Sequence, residues 1–167
     1  MSIVFDLDNT LACAKHRQGL LAQEPKDWDG FNSLCHKDPP HPHTVQVFRA
    51  LRQARGGVGH SIEIWSGRNK GPDNVWQYMT MKWLMRHVDT FVRMAGGEAC
   101  FTHYDEVLVR MRGYKDHRDD VALKRAWLQD AIARGAPPHL VFDDRDRVVQ
   151  MWRDEGVSCF QVQPGAF

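Results

Sequence analysis

Two aspartates follow a short apolar run near the start of the chain, in Ser2-Ile-Val-Phe-Asp-Leu-Asp-Asn-Thr-Leu11. The run Ile3 to Phe5 has no polar alternation, which is typical of a strand buried on both faces of a parallel sheet. Asp6 and Asp8 are two residues apart, so extended backbone would place both carboxylates on one side at the end of this strand. Close carboxylates repel, and a hard divalent cation relieves that repulsion. The segment therefore predicts a Mg²⁺ site, although the same residue types also favour a simple turn and helix N-cap.

A second strand also leads directly into polar residues. Ile62 to Trp65 has the apolar character of a strand, and Ser66, Gly67 and Arg68 follow it. A hydroxyl, backbone N–H groups freed by a glycine turn and a guanidinium group are suited to the non-bridging oxygens of a phosphate. The alternative is a plain turn from strand to helix with a serine cap.

Two cationic residues come later, near the ends of predicted elements. A candidate strand over Glu106 to Arg110 would place Arg112 at the same edge of the sheet. Lys124 lies near the start of a helix that Asp119 or Asp120 can cap, where a positive charge opposes the helix dipole. A phosphate ligand would explain that placement, whereas a solvated loop and an ordinary surface lysine are the alternatives.

Two adjacent acids follow the next strand. Leu140 to Phe142 is a short apolar run, and Asp143 and Asp144 come directly after it. Their carboxylates repeat the pattern of the first strand, because they would supply anionic oxygens to a cation at the same edge.

Strands and helices alternate along the chain. Helices are predicted from Thr44 to Arg55, Asn74 to Val92, Val121 to Ile132 and Val148 to Trp152, and a last strand from Cys159 to Val162. This alternation predicts an α/β fold with a doubly wound parallel sheet, in which ligands bind at the carboxyl ends of the strands.

Composition limits the class of protein. The chain has 167 residues, of which 43 % are apolar and 26 % charged, so it is expected to form one soluble domain over residues 1–167. A net charge of +1 gives no basic footprint for duplex nucleic acid. The four cysteines lack C-x-x-C spacing, which favours a reducing cytoplasmic location, and there is no apolar run long enough to cross a membrane.

An insertion follows the first motif. This insertion begins at about residue 13, and its turn-rich part runs from Lys15 to His43 and contains one predicted short helix. It is expected to lie over the catalytic edge, either as a small lid or as a plain connector. Trp28 and Phe31 in this stretch, and Trp76 beyond it, could stack on a nucleobase or pack in the core.

The ordered set Asp-x-Asp-x-Thr, Ser, Lys and Asp-Asp resembles the haloacid dehalogenase (HAD) superfamily of phosphotransferases. Within it, the chain is similar to the 3′-phosphatase domain of bacteriophage-type polynucleotide kinase/phosphatases. The matching segments are Ser66 to Arg68, Tyr78 to Trp83, Arg112 to Lys124 and Phe142 to Arg153. The resemblance implies a HAD-like Rossmannoid sheet with helices on both faces and a small cap-like insertion.

The resemblance and the chemistry of the residues imply the same roles. Asp6 would be the nucleophile that forms an aspartyl-phosphate, and Asp8 the general acid and base. Mg²⁺ would be bound by Asp6, by the main-chain carbonyl of Asp8, and by Asp143 and Asp144 either directly or through water. The expected phosphate-binding set consists of Thr10, which would orient the first loop, Ser66, Gly67, Arg68, Arg112 and Lys124.

The expected function is Mg²⁺-dependent removal of a 3′-phosphate from polynucleotide ends or nucleotides. A nucleoside 5′-monophosphatase of the same superfamily is one alternative, and a catalytically silent module that binds nucleic-acid ends or a partner is another. The chain contains no G-x-x-x-x-G-K-[ST] sequence, so it is not expected to have kinase activity, and a free-standing phosphatase could act on mononucleotides. The sequence does not indicate an oligomeric state.

Overall fold

The strand Ser2–Phe5 (β1) lies at the centre of a six-stranded parallel sheet in the computed structural model, which describes residues 2–58, 61–88, 92–94 and 107–165. The strand order is β3-β4-β2-β1-β5-β6, and each neighbouring pair is parallel. The other strands are β2 (Ser61–Asn69), β3 (Val92–Met94), β4 (Val107–Arg112), β5 (Leu140–Arg145) and β6 (Ser158–Gly165). Parallel strands bring all their carboxyl ends to one edge, as predicted.

Helices cover both faces of this sheet. They are α1 (Trp28–Ser33), α2 (Pro42–Val58), α3 (Val75–His87), α4 (Asp120–Ala133) and α5 (Asp146–Asp154). Ile3 and Phe5 belong to a core cluster with residues of α2 and α3, whereas Val4 belongs to a second cluster with residues of α4 and α5. The alternation within β1 therefore confirms a strand buried on both faces and a doubly wound α/β fold.

Several predicted boundaries are wrong. The helix predicted over Asn74 to Val92 ends at His87, and Val92 begins strand β3, which was not predicted. Helix α2 begins at Pro42, two residues before the expected cap Thr44, because proline is tolerated in the first turn of a helix. Glu106, the predicted first residue of the third strand, lies outside the described residues.

The expected turn after Trp65 is also wrong. Strand β2 continues through Ser66, Gly67 and Arg68, and its register against β4 shifts between Ser66 and Asn69. The register shift therefore takes the place of the turn and brings the polar residues to the edge of the sheet.

The insertion is joined at its base. Cys13 N–H donates to the Pro39 carbonyl across 2.8 Å, and His41 N–H donates to the Leu11 carbonyl across 2.8 Å. Between these contacts lie α1 and 3₁₀ helices over Lys15–Leu21 and Cys35–Lys37. The behaviour of the insertion as a lid and the organisation of the chain as a single domain remain predictions.

Within the described ranges, no helix is both long and apolar enough to span a membrane.

Candidate active site

One cleft of about 620 Å³ lies at the carboxyl edge of the sheet. Asp6 follows β1, and Asp143 and Asp144 lie within the neighbouring strand β5. Because these strands are parallel and adjacent, residues far apart in sequence meet at this edge. The predicted site residues that line the cleft are Asp6, Asp8, Gly67, Arg68, Arg112, Lys124, Asp143 and Asp144.

Three buried carboxylates form the floor of the site. One oxygen from each of Asp6, Asp143 and Asp144 lies within 4.8 Å of the others. Burial and the nearby charge of Asp143 raise the pKa of Asp144 to about 7. Its Oδ2 atom is buried with no hydrogen-bond partner among the residues that the structure describes. Crowded oxygen ligands with an unsatisfied acceptor fit a hard divalent cation.

Lys124 lies between two of these acids. Its Nζ atom donates to Asp6 Oδ1 across 2.6 Å and to Asp143 Oδ2 across 2.7 Å. Burial would lower the pKa of Lys124, but the charges of Asp143 and Asp6 outweigh burial and raise it. Burial, opposed by Lys124 and reinforced by Asp143 and Asp144, raises the pKa of Asp6 well above its usual value. A protonated lysine therefore contacts the predicted nucleophile directly.

Asp8 lies outside the triad and pairs with two arginines. Its Oδ1 atom accepts hydrogen bonds from Arg17 Nη2 at 2.6 Å and from Arg68 Nε at 2.7 Å. Burial alone would raise the pKa of Asp8, but the Arg68 and Arg17 charges and hydrogen bonds lower it. The prediction that Asp8 binds the metal concerned its main-chain carbonyl, so the position of its carboxylate does not test it.

Asp38 is buried and accepts hydrogen bonds from the same two arginines. It accepts from Arg17 Nε at 2.8 Å, and its Oδ2 atom accepts from Arg17 Nη2 at 2.7 Å and Arg68 Nη2 at 2.5 Å. His16 Nε2 lies 2.8 Å from Asp38 Oδ1. Sequence reasoning missed Arg17, Asp38 and His16, because they lie in the irregular insertion where no periodic pattern identifies them.

Arg112 is positioned by main-chain and carboxylate groups. Its Nε atom donates to the Gly67 carbonyl across 2.9 Å, and its Nη2 atom donates to Asp120. Asp120 also accepts from Arg145 Nη1. The sequence allowed either Asp119 or Asp120 as the helix cap, and in the structure the cap is Asp119, whose side chain accepts from Val121 N–H at 2.6 Å. Asp120 is therefore available to join Arg112 to Arg145.

Two of the predicted phosphate-binding residues do not line the cleft. Thr10 is fully buried, and its hydroxyl has no hydrogen-bond partner within the described segments. Ser66 is also fully buried, and its hydroxyl accepts from the Arg68 N–H at 3.2 Å. Phosphate binding by Thr10 and Ser66 remains a prediction.

Comparison with known proteins gives a match over the whole chain. A family model for the polynucleotide kinase PNKP phosphatase domain matches residues 1–167. The fold is similar to a chain in a Pnkp1/Rnl/Hen1 complex, with 26 % identity and a TM-score of 0.68 over 99 % of this chain and 46 % of that chain. A chain of a Pnkp1/Rnl/Hen1 RNA repair complex gives 25 % identity and a TM-score of 0.69 over 99 % and 43 % of the two chains. The chain thus spans less than half the length of either structural neighbour.

Proposed function

The chain belongs to the family of polynucleotide kinase PNKP phosphatase domains, and we propose that it removes the 3′-phosphate from polynucleotide ends or nucleotides through an aspartyl-phosphate. The family confirms the resemblance inferred from the sequence and identifies a HAD-type phosphatase. The observation that carries the more specific proposal is the contact of Lys124 with Asp6, beside Asp143 and Asp144, in the cleft that also contains Asp8.

Asp6 is the proposed nucleophile. Its carboxylate oxygen forms a bond to phosphorus while the bond from phosphorus to the ester oxygen breaks. The attack requires the ionised carboxylate, which needs no base. Burial raises the pKa of Asp6, Lys124 opposes this rise through its charge and its hydrogen bond, and a cation bound by the triad would favour the ionised form further. The product of this step is an acyl phosphate on Asp6 together with the leaving alcohol.

Asp8 is the proposed general acid and base. It donates a proton to the leaving ester oxygen and then accepts one from the water that attacks the acyl phosphate, which releases inorganic phosphate and regenerates Asp6. Arg17 and Arg68 favour the ionised form of Asp8, which is both the product of the first proton transfer and the base in the second. The arginines also fix the orientation of the carboxylate.

The acidic triad is the proposed Mg²⁺ site. Asp6, Asp143 and Asp144 would bind the ion, with the main-chain carbonyl of Asp8 as a further ligand. When bound, Mg²⁺ would neutralise charge on the phosphoryl oxygens, which otherwise repel the nucleophile. The crowding of the three carboxylates and the unpartnered Oδ2 of Asp144 support this assignment.

The remaining predicted residues divide into two groups. Lys124, Arg68 and the main chain at Gly67 line the cleft, where they are proposed to contact phosphate oxygens. Arg112 also lines the cleft and is proposed as a further phosphate contact, and its hydrogen bonds to the Gly67 carbonyl and Asp120 fix its position there. Ser66 is proposed to act on the main chain at Arg68, and Thr10 on the first loop.

The substrate is proposed to be a nucleic-acid end. A structural neighbour comes from an RNA repair complex, which supports a role in end processing together with other repair proteins. Three cationic residues line the cleft, where they are proposed to contact a phosphodiester backbone: Lys115, Arg118 and Arg147.

A cytoplasmic location is also proposed, because the free thiols of Cys13, Cys35 and Cys159 are consistent with a reducing compartment.

Phosphate release from matched substrates tests the proposal. The panel consists of RNA and DNA oligonucleotides of one sequence carrying either a 3′- or a 5′-phosphate, and the corresponding nucleoside monophosphates. We expect Mg²⁺-dependent release from the 3′-phosphates and no release by Asp6→Asn. Preferential release from nucleoside 5′-monophosphates would instead identify a 5′-nucleotidase. Tight binding to oligonucleotide ends without any turnover would identify a silent binding module.

A further inference from the structure

Trp28 is a large aromatic residue exposed in the wall of the active-site cleft. It lies at the first position of α1, and 54 % of its surface is accessible. It lines the same cleft as Asp6 and Asp8. Burying an indole ring is among the larger apolar gains open to a side chain, so an exposed ring at this place leaves a binding surface free for a ligand.

The other two aromatic residues considered in the sequence are committed to packing. Phe31 is 8 % exposed, and the Arg17 guanidinium lies 3.9 Å from the centre of its ring. Trp76 is also 8 % exposed, and its ring packs so closely against Gly71 that a Cβ added there would lie 2.7 Å from it. Trp28 contacts the edge of Phe31 at a centroid distance of 6.1 Å and an interplanar angle of 79°, which leaves much of the indole accessible. Of these three rings, Trp28 is therefore the one available for stacking.

The backbone that carries Trp28 is fixed by local hydrogen bonds. Asp27 caps α1 by accepting from Gly30 N–H at 2.8 Å, and Asn32 Nδ2 donates to the Trp28 carbonyl at 2.8 Å. Arg17 Nη1 donates to the Phe31 carbonyl at 3.3 Å, while Nη2 of the same guanidinium contacts Asp8. One side chain thus ties the helix that carries Trp28 to the proposed general acid, so the backbone at Trp28 has a set position relative to Asp8.

We propose that Trp28 stacks on the nucleobase of the nucleotide whose phosphate is removed, and so makes this enzyme selective for nucleotide over simple sugar phosphates. This proposal rests on the proposed function, because it assumes a nucleotide substrate in the cleft. Stacking is tolerant of base identity, since every base has a π-face. The recognised chemistry is accordingly an aromatic base one sugar away from the reacting phosphate.

The test compares Trp28→Leu and Trp28→Phe with the wild type on two esters. One is a deoxynucleoside 3′-monophosphate, and the other is the same sugar 3-phosphate without a base. We expect wild type to prefer the base-bearing ester by about tenfold or more in kcat/KM, the usual size of one stacking contact. Trp28→Leu should remove this preference through KM, and Trp28→Phe should keep most of it.

Tyr78→Leu provides the matched control. Tyr78 is an aromatic residue of α3 with 57 % exposure, and it does not line the cleft, so its replacement should leave the preference unchanged. Equal loss on both esters in Trp28→Leu, or an unchanged preference, would overturn the proposal.

Failure of the proposed function has a different signature. If the wild type hydrolyses only 5′-phosphates, the 3′ assignment is wrong. The role of Trp28 is then decided by the ratio of the kcat/KM values for 5′-phosphate esters with and without a base, compared between the wild type and Trp28→Leu. If there is no turnover, the role of Trp28 is decided by comparing the affinity for a 3′-phosphorylated oligonucleotide with the affinity for the same oligonucleotide without its terminal base. Loss of that binding difference on Trp28→Leu supports stacking, and an unchanged difference overturns it.

Discussion

Arg17 donates a hydrogen bond to Asp8 across 2.6 Å, and this contact joins the insertion to the segment that follows β1. Arg17 is 1 % exposed, and it also pairs with the buried Asp38. Arg68, which enters from β2, makes the same two contacts. The proposed general acid is thus oriented by two guanidinium groups that share one buried counter-ion, so under the proposed mechanism the insertion helps to position Asp8.

Replacing Asp38 by Asn should lower kcat although Asp38 does not line the cleft. The amide removes the negative charge that orients Arg17 and Arg68, and it introduces N–H donors that face other donors. We expect kcat to fall by about tenfold, and stability by about 1–3 kcal/mol, because buried donors lose their acceptors. Steady-state kinetics and urea unfolding measure the two effects.

Asp130→Asn is the control for Asp38. Asp130 also accepts hydrogen bonds from two arginines, Arg110 and Arg134, but its side chain is about half exposed. Surface ion pairs contribute little, so this variant should retain wild-type kcat and nearly all of its stability. Full activity in Asp38→Asn would show that Arg17 and Arg68 do not need the charge of Asp38 in order to orient Asp8.

Asp6→Asn should abolish turnover without unfolding the protein. The amide is nearly isosteric but cannot form the acyl phosphate, so the loss in kcat should reach several orders of magnitude. Rapid acid quench with a ³²P-labelled substrate should detect label on the wild-type protein and none on this variant. Asp29→Asn, which changes another acid of the same cleft, should still be labelled. Labelling of Asp6→Asn would place the covalent step on another residue.

Asp144→Asn should stabilise the metal-free protein while weakening its response to Mg²⁺. Burial and the neighbouring Asp143 disfavour the ionised form of Asp144 and raise its pKa to about 7, so a neutral amide relieves repulsion at neutral pH. A gain of about 1 kcal/mol would raise Tm by roughly 2–4 °C for a chain of this size. Thermal unfolding in EDTA and in Mg²⁺ measures both effects.

The same measurement has a clear contrary outcome. If Asp144 does not bind the ion, Mg²⁺ should raise the Tm of the variant and of the wild type equally. Asp146→Asn is a suitable control, because Asp146 is an acid nearby in sequence that accepts hydrogen bonds from Gln161 and Gly165 and is not part of the triad. Its response to Mg²⁺ should match that of the wild type.

The sequence predicted those parts of the fold and site that depend on local pattern. The apolar run Ile3 to Phe5 indicated a central strand. Asp6, which follows β1, lies beside Asp143 and Asp144 because β1 and β5 are adjacent, although β5 continues to Arg145 and does not end at Phe142 as predicted. Strand β3 was missed because three residues are too few to show a period of their own, and the helix predicted from Asn74 extended to Val92, the first residue of this strand.

The arginine pair around Asp8 could not be found in this way. Arg17 and Asp38 are 21 positions apart in a segment of short helices and turns, and Arg68 and Asp38 are 30 positions apart. Contacts of this kind depend on how the insertion folds back on the sheet, and neither periodicity nor turn composition specifies that path. Asp120, at the start of α4, was noticed only as a candidate cap, because its contacts are with Arg112 and Arg145, which lie in strands β4 and β5.

Gly67→Ala should impair catalysis through Asp120. An added Cβ at Gly67 would lie 2.9 Å from Asp120 Oδ1, which is closer than side chains tolerate. That carboxylate cannot easily move, because Arg112 and Arg145 both donate to it. The strand must therefore shift, and with it the main chain of the proposed phosphate site. We expect kcat/KM to fall by about tenfold, since errors of about 1 Å at a catalytic site have effects of this order or larger.

Gly19→Ala separates this effect from the general consequence of adding a methyl group. A Cβ at Gly19 would meet no atom within 4 Å, so the variant should have wild-type kinetics. The double variant Gly67→Ala/Asp120→Ala makes the test specific. If the clash with the carboxylate is the cause, Gly67→Ala should lower kcat/KM much less in an Asp120→Ala background than in the wild type. The two changes then act on one contact. Independent, multiplicative losses would mean that Gly67 is needed for its own backbone and not for the space beside Asp120.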